Sequence, residues 1–383
     1  MIQKYFLGGW IFPVIITLFF ASCKDPYFPN VNSSKAHYLV VDGYINSNGL
    51  TNVKLTRTRT ISKGDTAAYI NETGANIAIQ DNQNNVYPLQ EIGGGNYSSS
   101  NFLDVNNKYR LHIITSDNKV YVSDFVPCKI SPSIDNVGWK LQDGNVQVFV
   151  NTHDPNNHTT YYRWDYAETW EFHSEYYSTL IYNTDSNIVE NRSAPVYVCY
   201  RSDNIGSLFL GSSAKLKEDV IHESPLELIP DHDRRISVLY SALVTQYALD
   251  SNAYSYWSAM KGNTEDVGSI FGNQPNQTRG NIHSMSDSSE IVVGYIGAGS
   301  PQQARIFISN ADVPNGWNQP QNCTEKYVPP DPDSIKYFFG SNAFIPYASN
   351  PPGSPVAKGY FSASATCVDC SLTGTLVKPA FWP

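Results

Sequence analysis

The sequence predicts a mainly β protein of two immunoglobulin/fibronectin-like β-sandwich domains, the second with an inserted helix and a disulfide-stapled C-terminal extension. Three observations carry this reading. Strand- and turn-favouring residues dominate its 383 positions: 26 Tyr, 17 Phe, 25 Gly and 23 Pro stand against 3 Met, and only 16% of residues are charged. Apolar and polar positions alternate in short runs between Asn-, Asp-, Gly- and Pro-rich turns, as half-buried strands require. Three of the six cysteines fall in the last stretch of chain, where they can staple a segment too irregular to build its own core. Hydrophobic residues at 41% exclude a disordered chain. A net charge of −9 leaves nothing to attract phosphate, so no nucleic-acid partner is expected.

Residues 1–22 read as a signal peptide. Lys4 is the only charge before residue 24, and the apolar run Phe6–Ala21 is broken by Gly8, Gly9 and Pro13. It is shorter than the roughly 18 residues that a spanning helix needs. The run ends Phe19-Phe20-Ala21-Ser22-Cys23, which resembles a bacterial lipobox, with Phe20 in place of the commoner Leu. That resemblance implies a diacylglyceryl group on Cys23 as the mature first residue. Two acyl chains at about 0.8 kcal/mol per buried CH₂ suffice for stable attachment. Without Lys4 the mature charge is −10 (25 basic, 35 acidic).

Residues 23–36 read as a tether. The first sandwich is placed at 37–128, from Tyr38–Ile45 and the alternating Asn52–Thr58 through Ala75–Ile79, Val86–Leu89, Tyr109–Ile114 and Val120–Val122. Pro127 to Pro132 is the joint, and the second sandwich is placed at 129–316. Its most informative strand is Tyr161–Phe172. Tyr162, Trp164, Tyr166, Trp170 and Phe172 share one parity and Arg163, Asp165, Thr169 and Glu171 the other, which makes one face core and one solvent. A sugar-stacking platform is the competing use of such a ladder. A helix is expected near 251–262: Asp250 or Ser251 can cap it, Ala253, Tyr256, Trp257 and Met260 form its apolar stripe, and Lys261-Gly262 supplies a stop. Strand character resumes at Ile291–Ile296 and Arg305–Ile308, so the helix reads as an insertion packing on the second sheet. Residues 317–383 read as an irregular cysteine-bearing extension.

Besides Cys23, five cysteines can form two disulfides and one leftover thiol in fifteen ways. The candidates are Cys199, Cys323, Cys367 and Cys370, with Cys323 expected to join the Cys367-Val-Asp-Cys370 motif. That CxxC lacks the following helix of a redox motif and a second ligand pair for zinc. The eight histidines form no HExxH, and no Gly-x-Ser-x-Gly elbow or phosphate loop occurs. Asp231-His232-Asp233 with Arg234 and Arg235 reads as a turn with local ion pairs. His173-Ser-Glu175 has no visible metal partners. Asp331-Pro-Asp333 and Asp154-Pro-Asn-Asn157 read as turns before calcium sites, and Glu223, Glu227 and Asp231 are weak glycosidase candidates. No catalytic residue, metal or cofactor is therefore expected, and the chain reads as a non-enzyme.

The lipobox, Tyr38-Leu-Val-Val-Asp-Gly43, Tyr161-Tyr-Arg-Trp164 with Trp170, the helix leading into Asn263-Thr…Gly268-Ser-Ile-Phe271…Pro275…Gly280-Asn-Ile282, and Cys367-Val-Asp-Cys370…Lys378-Pro-Ala-Phe-Trp382 recur in one order. Together they resemble the Bacteroidota lipoprotein family catalogued as domain of unknown function 4249. The resemblance implies an outer-membrane lipoprotein, commonly encoded beside a TonB-dependent transporter, and no established activity. Asp65-Thr66-Ala67 and Asp333-Ser334-Ile335 resemble short Bacteroidota O-glycosylation acceptors at Thr66 and Ser334. The expected role is an accessory or substrate-binding subunit of such a transporter, lipid-anchored in the outer membrane at the cell surface. A stand-alone surface adhesin or glycan- or matrix-binding module is the alternative.

Overall fold

The structure is a computed structural model that describes residues 37–59, 69–265, 279–314, 317, 322–353 and 356–383. The signal peptide, the tether, Cys23 and Thr66 lie outside the described residues.

The first unit opens with β1 (Leu39–Asn46), β2 (Asn48–Thr58), β3 (Tyr69–Asn71), β4 (Asn76–Asp81), β5 (Val86–Gly93), β6 (Asn96–Phe102), β7 (Lys108–Ile114), β8 (Val120–Ser123) and β9 (Val126–Ile130). Alternation puts Leu39, Val41 and Ile45 of β1 and Leu111 and Ile113 of β7 in one core around Tyr97, Tyr109 and Tyr121. The sheet closes on itself, because β9 pairs antiparallel with β7 on one side and parallel with a later strand on the other.

The second unit is a sandwich. One sheet holds β10 (Ile134–Gln142), β11 (Asn145–His153) and β16 (Val220–Ile229); the other runs β15 (Val198–Ser212), β12 (Tyr161–His173), β17 (Leu239–Leu249), β21 (Gln302–Ser309). This three-plus-four arrangement is fibronectin-like. A hairpin, β13 (Leu180–Asn183) and β14 (Ile188–Asn191), is inserted between β12 and β15. Val146, Val148 and Val150 face Tyr162, Trp164, Tyr166 and Phe172 across the core. The aromatic ladder of β12 is therefore interior, Trp164 being 1% exposed. Its indole donates to the buried Gln246 Oε1 at 2.8 Å.

Between β17 and β21 the chain leaves the second unit. It forms α1 (Ser251–Glu265), then β18 (Ile282–Ser284), β19 (Val292–Val293) and β20 (Gly297–Ser300). β18 pairs with β8, and β19 and β20 pair parallel with β1. This corrects the expected boundaries: 129–316 is not one unit, because residues 282–300 complete the first sheet. Parallel partners need a long crossover, and here most of the second domain is that crossover. Sequence neighbours usually share a sheet, so apolar alternation at 291–296 by itself points to the second sheet. The return depends on Gly294, at φ +137°, where an added Cβ would sit 2.1 Å from the Val41 carbonyl oxygen.

Helix α1 begins where expected, with Asp250 Oδ1 accepting from Ala253 N at 2.8 Å. It does not stop at Gly262. Its last turn is clamped to β15: Lys261 Nζ donates to Leu208 O at 2.7 Å and Glu265 Oε1 accepts from Leu208 N at 3.0 Å. Tyr256 and the partly buried Trp257 pack with Tyr161 and Tyr247.

The C-terminal extension is more ordered than its composition suggests. β22 (Glu325–Val328), α2 (Pro332–Phe339), β23 (Phe344–Ser349), β24 (Tyr360–Ser364) and α3 (Ala365–Val368) form a three-stranded sheet with short helices. Val328, Ile335 and Phe339 give it a small core of its own, shared with Tyr182 of β13. Two disulfides fasten it, Cys199–Cys370 and Cys323–Cys367. The CxxC is thus divided between two bridges, and Cys128 is the leftover thiol.

Candidate functional site

The joint between the two units holds a cleft of about 550 Å³, lined by Cys128–Ser133 of the linker, Asp135, and, from the β11–β12 turn, His153–Asn156, His158 and Thr159. Ligand sites favour such domain junctions. Its walls are fixed from both sides. On the first unit, Ser131 N donates to Ser300 O at 3.1 Å, and Ser300 Oγ meets Ser47 Oγ at 2.8 Å. On the second, Gln246 Nε2 donates to Pro132 O and Thr152 Oγ1, and Ala248 N donates to Ser131 Oγ.

Asp154 organises the turn. Its carboxylate accepts from the backbone N–H groups of Asn156, His158 and Thr159, each at 2.9 Å. Burial alone would raise its pKa; these bonds outweigh it and hold the group below the usual carboxylate range. Asn157 takes φ +54°, and its side chain accepts from Asp219 N at 2.7 Å. At the mouth His153 Nδ1 lies 2.8 Å from both Asp135 oxygens. That hydrogen bond pushes the imidazole pKa upward. Burial pushes the Cys128 thiol up as well, away from the thiolate that nucleophilic chemistry uses. The cleft offers fixed hydrogen-bonding groups and one titratable ion pair.

A second hollow, about 730 Å³, lies at the start of the described chain and is lined by His37, Tyr38, Arg57, Asp117, Lys119 and Glu290 among others. Arg57 pairs with Glu72 and donates to His37 O at 3.2 Å; Lys119 pairs with Glu290 at 3.2 Å. Tyr121 donates to Glu290 at 2.8 Å, and burial raises its hydroxyl pKa to about 12.

The residues singled out by sequence fall apart in space. His173 contacts Glu171. Glu223 pairs with Lys140 and Glu227 with Arg235, while Asp231 lies against His232 at 3.9 Å, so these three do not assemble into a glycosidase pair. Asp331 caps α2 by accepting from Ser334 N at 2.9 Å, which places Ser334 in the first turn of that helix. Among the described residues no three His, Cys, Asp or Glu side chains converge on a metal-sized site. Arg235 exceeds the local turn expected of it. It pairs with Asp233 at 3.1 Å and also reaches inward to Glu227 at 3.0 Å and Glu168 at 2.9 Å. Glu168 was missed, although it has the parity of the aromatic ladder. A glutamate at that position demands a buried cation, and Arg235 is that cation. Tyr240, itself bonded to Tyr166, donates to the same carboxylate at 2.8 Å.

Fold and joint define a mainly β protein of two units, a sheet closed on itself and a fibronectin-like sandwich. Residues 24–305 match the family model described as "Domain of unknown function (DUF4249)", and the chain belongs to that family. No curated protein matches it. Among solved structures, a DUF4785 family protein of Legionella pneumophila is 11% identical with a TM-score of 0.20, covering 54% of this chain and 52% of its own. A two-domain fibronectin type III segment of chicken tenascin is 11% identical with a TM-score of 0.16, covering 55% of this chain and 90% of its own. At these scores neither likeness bears on function.

Proposed function

We propose that the protein is a lipoprotein of the bacterial outer membrane, held through acyl chains on Cys23, and that its β body serves as an accessory or substrate-binding subunit of a TonB-dependent transporter. The observation that carries the reading is the sequence Phe19-Phe20-Ala21-Ser22-Cys23 after a short apolar run. Thirteen residues lie between Cys23 and His37, fourteen Cα–Cα steps in all. Fully extended they span at most about 50 Å, which keeps the body near the membrane and raises the effective concentration of a membrane-embedded partner. Three chain passages between the two units, through 130–134, 249–282 and 300–302, support a body that presents its joint in one orientation. Among the described residues no helix is long and apolar enough to cross a membrane. Palmitate labelling, fractionation and mild-detergent co-purification test the proposal. Label on the wild type, its loss in Cys23→Ala and a co-purifying transporter are expected. An unlabelled wild type sinks the anchor. A labelled protein that enriches no transporter sinks the subunit role and leaves the adhesin reading, to which the 86% exposed Phe102 would lend a contact.

A further inference from the structure

Register lays out the outer face of the four-stranded sheet in rows. One row runs Asn204–Ala167–Leu243–Arg305 and the next Ser202–Thr169–Ser241–Phe307. Helix α1 covers one end of this face, where Arg163 lies 4.5 Å from the rings of Tyr247 and Trp257. The chain terminus covers the other, with Trp382 Nε1 donating to Glu171 at 3.0 Å. Between them remains a trough of about 310 Å³ whose lining includes Thr169, Ser202, Asn204, Leu243, Arg305 and Phe381.

Arg305 is the one charged side chain that these two rows contribute. Its guanidinium lies 3.6 Å from the centroid of the Phe381 ring and donates to Ser241 Oγ at 2.9 Å. Among the described residues no carboxylate pairs with it. The carboxylates on the same face are engaged: Asp165 by Arg163 at 3.3 Å, and Glu171 by Trp382 and His173. Glu168 and Asp203 also line the trough, but they are paired in register one position off the row, so strand alternation turns their side chains toward the core face. Glu168 there meets Arg235. A partly buried guanidinium lacking a counter-ion is costly to keep, and burial does pull its pKa down. The other polar side chains that the two rows send into the trough are neutral: the Thr169 and Ser202 hydroxyls, 2.8 Å apart, and the Asn204 amide.

We infer that this trough binds a monosaccharide-sized ligand bearing a carboxylate, an acidic sugar. Its carboxylate would take the guanidinium N–H groups of Arg305 that Ser241 leaves unused. Its hydroxyls would meet Asn204, Thr169 and Ser202, and its C–H face would rest on Leu243 and Phe381. A single cation suits a monoanion better than a phosphate dianion, and a neutral hydroxyl-and-amide floor suits a polyol better than a plain organic acid.

The test is calorimetric titration of the full-length chain in mild detergent with glucuronate, glucose and inorganic phosphate. Saturable glucuronate binding at about 1 mM or tighter is expected, with glucose and phosphate each at least tenfold weaker. Arg305→Gln should weaken glucuronate at least tenfold, and Arg305→Lys less, since it keeps the charge and loses the fork. Arg110→Gln, which removes a guanidinium lying over Phe125 on the other unit, should change nothing. Glucose or phosphate binding as tightly as glucuronate, no saturation, or a folded Arg305→Lys and Arg305→Gln pair that bind like wild type would each overturn the inference. The site stands apart from the anchor, so such a failure leaves the lipid-tethered reading to its own labelling test.

Discussion

Replacing Arg235 with methionine should cost the protein about 3–5 kcal/mol, the usual price of breaking a buried ion pair by removing one partner. The structure says why the figure belongs at that level. The guanidinium is 17% exposed and holds three carboxylates at 2.9, 3.0 and 3.1 Å, of which Glu168 is only 6% exposed. Methionine fills the stem and supplies no donor, leaving Glu168 inside the sandwich with the Tyr240 hydroxyl. Urea unfolding followed by tryptophan fluorescence reads the loss, because Trp164 and Trp170 lie in the same core. The pH dependence separates this cause from lost packing. Burial already raises the Glu168 pKa, against the lowering pull of Arg235. A raised carboxyl pKa means stability that is complete below the unfolded value, about 4.3, and falls as pH rises through the folded one. Arg235→Met moves the folded value further up, so its deficit should be larger at pH 8 than at pH 5. A double variant, Glu168→Leu with Arg235→Met, should recover part of the loss. A deficit below about 1 kcal/mol, or one indifferent to pH, would refute the reasoning.

Three further outcomes are expected. Removing Cys199–Cys370 should destabilise more than removing Cys323–Cys367, because they close loops of 171 and 44 residues; chain entropy puts the upper bounds near 5 and 4 kcal/mol, to be read from denaturation of the paired Cys→Ala variants. The His153 pKa, raised by its hydrogen bond to Asp135, should fall in Asp135→Asn on NMR titration, and the pair's contribution to stability should be full below about pH 6.5 and vanish as pH rises through the folded value. Gly294→Ala should cost at least about 2 kcal/mol, since it adds strain at φ +137° and a clash with the Val41 carbonyl; retained thermal stability would show that the return segment does not need that contact.

Legibility followed the range of the interactions. The β12 ladder, the cap of α1 and the turn at Asp154 were readable because each is decided within a few residues; Asp331, which reads as a turn, instead caps α2. The overrun of α1 past Gly262 was not, because the forces that extend it come from Leu208 on another strand. Glu168 had a local signal, a charge in the wrong parity, but its partner lies 67 residues away. The Arg305 trough had none: its row exists only once four strands are in register.

Composition, alternation and cysteine content alone determined that this chain would be a mainly β, disulfide-bearing protein with a helix starting at Ser251, since those properties depend on local pattern and on area available for burial. Only the tertiary structure decided that residues 282–300 return to the first sheet, which cysteines meet, and which charges lose their counter-ions. Those outcomes turn on which distant surfaces come into contact, and several pairings of equal local quality compete until close packing and hydrogen-bond register select one.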